Sequence, residues 1–214
     1  MSMTGENKFF IGVGVATLVL IIGGVFFFSK QSSNTQTAGS EQIDLVAGAK
    51  NTLGSPDSKI KIVEFGDYQC PACAAAHPII KQVLDANKDK ASFVFRNFPL
   101  PIHLNARDSA KAAEAAAEQG KFWEMHDLLY ENQNEWSELG NAKDKFREYA
   151  QNLGLDMNKY DEDFDKVIER VNQDFALGER AGVESTPTFF INGVKYPGVI
   201  PADKFQQLMD EASK

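Results

Sequence analysis

The sequence predicts an α/β fold, and three observations along the chain predict it. A strand-like apolar run at residues 60–65 is followed by a helical pattern that ends near residue 87. A second strand-like run at residues 92–98 is followed by a long helical block, over about residues 105–180. A hairpin pattern and a last helix then end the sequence. Strands alternating with helices in this order are typical of an α/β domain, here with a helical insertion.

The individual elements follow from local signals. Residues 51–59 are turn-like and lead into the first strand, and the first helix is predicted from about residue 70. Asn105 and Asp108 resemble a capping box at the start of the helical block. Within the block, helices are predicted at residues 106–119, 121–133, 142–153 and 163–180. Asn192 and Gly193 predict a tight turn between strands at residues 188–191 and 194–196, before a final helix at residues 202–212.

The N-terminal segment has a different character. Residues 9–28 form a run of 20 uncharged residues between Lys8 and Lys30. About 20 apolar residues span a bilayer as a helix, whereas the apolar region of a signal peptide usually has about 7–15 residues. We therefore predict a cytoplasmic stub and a retained transmembrane anchor over residues 1–30. A cleaved signal peptide is the alternative.

The anchor sets the expected domain organisation. Residues 31–48 are rich in Ser, Thr, Gln, Gly and Ala without apolar periodicity, which predicts a flexible linker. Residues 49–214 are predicted to form one folded domain. The positive charge of Lys8 favours the N-terminus inside, so we expect a single-pass protein of the cell membrane with its domain on the extracytoplasmic side.

Charge narrows the range of partners. Beyond residue 30 the chain carries 20 basic and 29 acidic side chains, a formal charge of −9. An acidic surface repels nucleic-acid phosphates, so no nucleic-acid partner is expected.

The two cysteines of the chain, Cys70 and Cys73, form a C-x-x-C motif at the predicted start of the first helix. Unpaired N–H groups and the helix dipole stabilise a thiolate there, and such sites lower a cysteine pKa from about 8.5 to about 3.5–7.5. We predict that Cys70 is the nucleophile and Cys73 the buried resolving partner. This redox-active disulfide is the only reactive group expected, without a further cofactor.

Three stretches, residues 64–73, 95–100 and 186–193, resemble signatures of the DsbA-like branch of the thioredoxin superfamily. The resemblance covers about residues 45–214 and implies a thioredoxin fold with a helical insertion. It also implies that Thr186 and Pro187 are joined by a cis peptide bond, the cis-proline turn that faces the nucleophile. An X–Pro bond adopts the cis form at a cost of only about 0.5–1 kcal/mol.

The resemblance implies a role for Glu64, which lies six residues before Cys70 in an apolar strand. Burial there should raise the pKa of its carboxyl group. Family members carry an acidic residue at this offset that is implicated in proton transfer to the resolving cysteine, so Glu64 is predicted to be a proton relay. An outward-facing strand residue is the alternative.

His77 lies four residues after Cys73 and could share one helix face with both cysteines. That spacing is compatible with a metal site, but a closed structural zinc site needs four ligands and a fourth is not evident. We expect His77 to be a helix-surface side chain and no metal to be bound.

The resemblance implies a protein-disulfide oxidoreductase that introduces disulfide bonds into unfolded or reduced secreted proteins. Its reoxidation would need a membrane redox partner of the DsbB or VKOR type. DsbA carries His where this chain has Ala72, and Thr186 is similar to isomerase and reductase relatives. An isomerase or reductase of the same fold is therefore one alternative, and a thioredoxin-like metal-binding carrier is another.

Overall fold

The computed structural model describes residues 43–55 and 57–214. The predicted transmembrane anchor at residues 1–30 lies outside the described residues, as does most of the predicted linker. No helix in the part of the chain that is described has the length and apolar character needed to cross a membrane.

Thirteen helices and strands follow one another within these residues. In chain order they are β1 (Thr52–Leu53), β2 (Ile60–Gly66), α1 (Pro71–Asn87), β3 (Ala91–Asn97), α2 (Ala106–Ala117), α3 (Phe122–Glu131), α4 (Gln133–Trp136), α5 (Lys143–Asn152), α6 (Met157–Lys166), α7 (Ile168–Arg180), β4 (Thr188–Ile191), β5 (Val194–Pro197) and α8 (Ala202–Ala212). The predicted α/β order, with a helical insertion between β3 and β4, is confirmed.

The five strands form one mixed sheet in the order β1-β3-β2-β4-β5. β2 and β3 are parallel and are connected by α1, whereas β4 is antiparallel to both β2 and β5. Strand β1 pairs antiparallel with β3 through Thr52 and Leu53. The prediction of a simple turn-like segment at residues 51–59 was wrong there, because two residues are too few to show a strand period.

The central strand β2 is covered on both faces, and its side chains alternate between two cores. Ile60 and Ile62 belong to the larger core, which contains Cys73 of α1. Val63 and Phe65 belong to the second core. The alternation therefore places Glu64 on the face that α1 covers.

The helical insertion differs from its prediction at two places. The single helix predicted at residues 163–180 is two helices, α6 and α7, which meet at Val167. Helix α6 begins earlier because the side chain of Asp156 accepts hydrogen bonds from the N–H groups of Asn158 and Lys159.

Asn105 does not form the predicted capping box, since its side chain makes no cap hydrogen bond. Its Nδ2 instead donates to the carbonyl of Leu139 at 2.8 Å, and its Oδ1 accepts from the N–H of Ala142 at 3.2 Å. Asn105 thereby holds two loops of the insertion together.

The domain also begins before residue 49, so the predicted linker at residues 31–48 is wrong at its C-terminal end. Leu45 is buried in the second core. Arg96 of β3 donates to the carbonyl oxygens of Leu45 and Ala47 at 3.0 and 2.7 Å. These contacts order a segment whose small polar composition indicated flexibility.

Candidate active site

Cys70 occupies the N-cap position of α1, just beyond the end of β2. Its backbone is extended, and Pro71 occupies the first turn of the helix, where a missing N–H costs nothing. The carbonyl oxygen of Cys70 accepts from the N–H groups of Cys73 and Ala74, both at 3.1 Å. The strand-to-helix turn therefore fixes Cys70 at the positive end of the helix dipole.

The two thiols are both free, but their surroundings differ. A hydrogen bond from the Cys73 thiol, together with the Thr186 side chain and the N–H groups of Cys73 and Ala72, outweighs burial and lowers the pKa of Cys70 to about 5. Cys73 is completely buried, and this burial raises the pKa of its thiol well above the ordinary value. At neutral pH the pair therefore holds one thiolate, on Cys70, and one thiol, on Cys73.

The loop before β4 faces this thiolate. The peptide bond between Thr186 and Pro187 is cis, in agreement with the resemblance. The carbonyl oxygen of Thr186 lies 3.4 Å from Cys70 Sγ. The buried hydroxyl of Thr186 has no hydrogen-bond partner among the described atoms, which leaves it available to the sulfur of Cys70.

Glu64 is almost completely buried, so its alternative as an outward-facing strand residue is wrong. Burial raises the pKa of its carboxyl group to about 8. When it is ionised, above about pH 8, the Glu64 carboxylate also raises the pKa of Cys73, after burial and the hydrogen bond with Cys70. A neutral, protonated carboxyl group thus faces the same core as the buried thiol.

Replacing Glu64 by glutamine should change how stability depends on pH. The folded protein keeps the Glu64 proton up to about pH 8, whereas the unfolded chain loses it near the ordinary value of 4.5. Between these values the folded state binds the extra proton, so the free energy of unfolding falls by about 1.4 kcal/mol for each pH unit gained. Urea denaturation of the oxidised proteins from pH 5 to 8 should show a steeper decline in the wild type than in Glu64→Gln.

Glu179→Gln is the matched control, because Glu179 is an exposed carboxylate on α7. The free energy of unfolding of Glu179→Gln should follow that of the wild type across the same pH range. A Glu64→Gln variant with the wild-type pH dependence would contradict a buried, protonated Glu64.

Asp67 is a site residue that the sequence did not reveal. It is buried, and its Oδ2 accepts from the N–H of Leu100 at 2.9 Å and lies 2.7 Å from His103 Nδ1. Its own N–H points to Cys73 Sγ at 3.5 Å. Burial raises the pKa of Asp67, against the lowering effect of these contacts. Asp67 joins the loop after β3 to the turn that carries the cysteines.

Gln133 of α4 is a second residue without a sequence signal. Its Nε2 donates to the carbonyl oxygens of Tyr68 and Cys70, at 2.7 and 3.1 Å. Gln69 completes the connection, since its Nε2 donates to the carbonyl of Ser137 at 2.7 Å. The helical insertion thus holds the active-site turn directly.

The structure brings Cys70, Cys73, Glu64, Thr186 and Pro187 to one place and leaves His77 out. His77 is buried, so its prediction as a helix-surface side chain was wrong. It faces α3, where its Nε2 lies 3.2 Å from Asp127 Oδ1.

A C-x-x-C motif at the start of the first core helix, opposite a cis-proline turn, is the arrangement of a thioredoxin-like redox site. A family model described as thioredoxin matches residues 47–211, and the chain belongs to this family.

An Na(+)/H(+) antiporter NhaA 1 of Mycobacterium sp. (strain KMS) is 41% identical over 152 residues, 68% of this chain. A second NhaA 1 antiporter, from Mycolicibacterium vanbaalenii, is 35% identical over 198 residues. The chain spans about a quarter to a third of the length of these relatives, 24% and 31%.

Solved structures agree with this class. A thioredoxin-like oxidoreductase from Silicibacter pomeroyi DSS-3 is 29% identical, with a TM-score of 0.66 over 75% of this chain and 90% of its own. The thiol-disulfide exchange protein alpha-DsbA2 from Wolbachia pipientis is 22% identical, with a TM-score of 0.69 over 80% of this chain and 90% of its own. BdbD from Bacillus subtilis is 23% identical, with a TM-score of 0.67 over 75% of this chain and 91% of its own. For the last two structures, the similarity to this chain is one of fold.

Proposed function

We propose that this chain introduces disulfide bonds into unfolded or reduced secreted proteins through the Cys70–Cys73 couple. The observation that carries the proposal is the position of Cys70 at the N-terminus of α1, where its pKa is lowered to about 5. A couple becomes more oxidising as the thiolate of its reduced form is stabilised. The low pKa of Cys70 therefore favours transfer of the disulfide from the enzyme to a substrate.

The reaction proceeds through a mixed disulfide. A substrate thiolate attacks Cys70 Sγ of the oxidised protein, and the Cys70–Cys73 bond breaks, with the sulfur of Cys73 leaving. A second substrate thiolate then attacks the substrate sulfur of the mixed disulfide and expels Cys70 as a stable thiolate. Two substrate thiols are oxidised to one disulfide, and the enzyme disulfide is reduced to the Cys70–Cys73 dithiol.

Glu64 is the proposed proton relay for Cys73. The leaving sulfur of Cys73 is buried and needs a proton, which the neutral carboxyl group of Glu64 supplies and later recovers. In Glu64→Gln the pH profile of Cys73 reactivity should change, and an unchanged profile would end this assignment.

Exposed apolar side chains beside the site support an unfolded protein as the substrate. Ile102 and Leu104 are 83% and 71% exposed, and they lie on the loop that Asp67 holds. The side chain of Gln69 accepts from the N–H of Asn105 at 2.6 Å, which ties this loop to the residue before Cys70. Apolar side chains flanking a substrate cysteine are expected to pack on this loop.

The double variant Ile102→Ser/Leu104→Ser should raise KM for a reduced, unfolded protein about tenfold, because two aliphatic contacts that the bound substrate would bury are lost. Its rate with a small dithiol such as dithiothreitol should stay unchanged, since the cysteines are untouched. Steady-state oxidation kinetics with both substrates measure the two effects.

Val194→Ser is the control, because Val194 is also an exposed apolar residue, 55% exposed, but lies on β5. It should leave both reactions unchanged. If the loop and β5 substitutions raise KM for the unfolded substrate equally, this loop is not the substrate-binding surface.

We also propose that the chain is anchored in the membrane. The apolar run at residues 9–28 supports a single-pass anchor with the catalytic domain on the extracytoplasmic side. Such an anchor would keep the domain beside a quinone-linked redox partner of the DsbB or VKOR type. Reoxidation of the reduced full chain by membranes that contain such a partner, and not by membranes lacking it, tests this arrangement.

The equilibrium of the Cys70–Cys73 couple with glutathione tests the direction of the reaction. A disulfide donor should have a potential near that of DsbA, about −120 mV, whereas a value near about −270 mV is typical of a reductase. Reactivation of scrambled ribonuclease faster than oxidation of reduced ribonuclease would favour the isomerase alternative. The metal-carrier alternative loses its third ligand, because His77 faces α3 rather than the cysteines.

A further inference from the structure

Three metal-ligating side chains meet between α1 and α3, away from the cysteine motif. His77 comes from α1, and His126 and Asp127 come from α3. One ligand atom of each lies within 4.8 Å of the others. Within residues 43–55 and 57–214, no other group of three or more such side chains is close enough to share an ion.

The imidazole of His77 points its Nε2 into this cluster, towards the Asp127 carboxylate. Its side chain is 6% exposed, and its Nε2 has no hydrogen-bond partner among the described atoms. Asp127 Oδ1 lies 3.2 Å from this nitrogen, within the spacing of two ligands on one metal ion. A buried nitrogen that faces a carboxylate oxygen in this way is available to a cation between them.

His126 is held in a form suited to ligation. Its side chain is buried between the two helices. The hydroxyl group of Tyr68 lies 3.0 Å from His126 Nδ1. Ligating imidazoles are usually oriented by such a contact on their other nitrogen.

Lys81 and Glu131 complete the surroundings of the cluster. Lys81 Nζ contacts Asp127 Oδ2 at 2.7 Å, the carboxylate oxygen turned away from His77, and Glu131 Oε1 at 3.1 Å. The ammonium group thus orients the Asp127 carboxylate without covering Oδ1. The two carboxylates outnumber the one ammonium, so the site favours a further cation. Glu131 Oε1 lies 4.0 Å from His77 Nε2 and is already paired with Lys81, so it remains outside the ligand set.

We propose that His77, His126 and Asp127 bind a zinc-class divalent transition-metal ion between α1 and α3. Two imidazoles and one carboxylate are the ligands that zinc accepts in sites with three protein ligands. The fourth position would belong to water. The bound ion would cross-link the helix that carries the cysteines to the helical insertion.

Titration of the oxidised protein with zinc chloride by calorimetry tests this site, because the Cys70–Cys73 disulfide offers no thiolate to the metal. We expect one zinc ion per chain in the wild type, with affinity at least about tenfold weaker in His77→Ala and in Asp127→Asn. Zinc should also raise the Tm of the wild type and not that of His77→Ala.

His103→Ala is the matched control, because His103 contacts Asp67 and lies outside the cluster. It should bind zinc as the wild type does. The half-exposed Asp127 makes Asp127→Asn the milder change if His77→Ala fails to fold. Absence of saturable binding below about 100 μM zinc, or unchanged affinity in the folded variants, would overturn the site.

Discussion

Replacing Cys70 by serine is expected to reduce disulfide formation about a thousandfold or more, to the rate without enzyme. Cys70 carries the low pKa and is the sulfur that faces Thr186. The remaining Cys73 cannot replace it, because that thiol is completely buried and its pKa is raised. Oxidative refolding of reduced ribonuclease with each purified variant measures the loss.

Cys73→Ser is the matched variant, since it removes a sulfur and leaves the nucleophile. It should also fail to turn over. With a disulfide-bonded protein such as scrambled ribonuclease, its Cys70 thiolate should attack a substrate disulfide, release one substrate thiol and form a mixed disulfide that persists, because Cys73 is no longer present to break it. Non-reducing electrophoresis with mass spectrometry identifies these adducts. Mixed disulfides that form as readily in Cys70→Ser would reverse the assigned roles.

Replacing Arg96 by methionine is expected to lower the free energy of unfolding by about 3–5 kcal/mol, the usual effect of breaking a buried ion pair. Arg96 and Asp174 are both buried, and Arg96 Nη1 donates to Asp174 Oδ1 at 2.9 Å. Removing the guanidinium leaves the Asp174 carboxylate without its countercharge and the carbonyl of Leu45 without its donor. Urea denaturation at pH 7 measures the change.

Arg147→Met is the control, because Arg147 forms an exposed ion pair with Asp161. Exposed pairs gain little in water, so its effect should be a small fraction of the Arg96 effect. The double variant Arg96→Met/Asp174→Leu should recover part of the loss, since no charge is then left buried. Equal losses in Arg96→Met and Arg147→Met would show that the buried pair does not hold the N-terminal segment and α7 to β3.

The sequence predicts the parts of this protein that depend on neighbouring residues. Cys70 and Cys73 are three positions apart at a strand-to-helix junction, which is visible in the local pattern alone. Glu64 interrupts an apolar strand, so its burial follows from the strand period. The hairpin of β4 and β5 follows from the Asn-Gly turn between two apolar runs.

The remaining features depend on contacts between distant segments. Asp67 meets His103, and Gln133 reaches the carbonyl of Cys70 across 63 positions. The burial of His77 depends on α3, which docks against the face of α1 that carries this residue. No local period predicts which helix of the insertion packs against which face of the sheet, so these contacts appear only once the fold is known.

The central claim is that Cys70 is a thiolate at neutral pH because the Cys73 thiol, the Thr186 side chain and the N–H groups at the start of α1 stabilise it. The pH dependence of iodoacetamide alkylation of the reduced protein, with Cys70 identified by mass spectrometry, tests it most directly. Since Cys73 is buried with a raised pKa, the reaction at and below neutral pH reports Cys70. The structure predicts a midpoint at about pH 5. A midpoint near about 8.5, the value of an unperturbed cysteine, would contradict it.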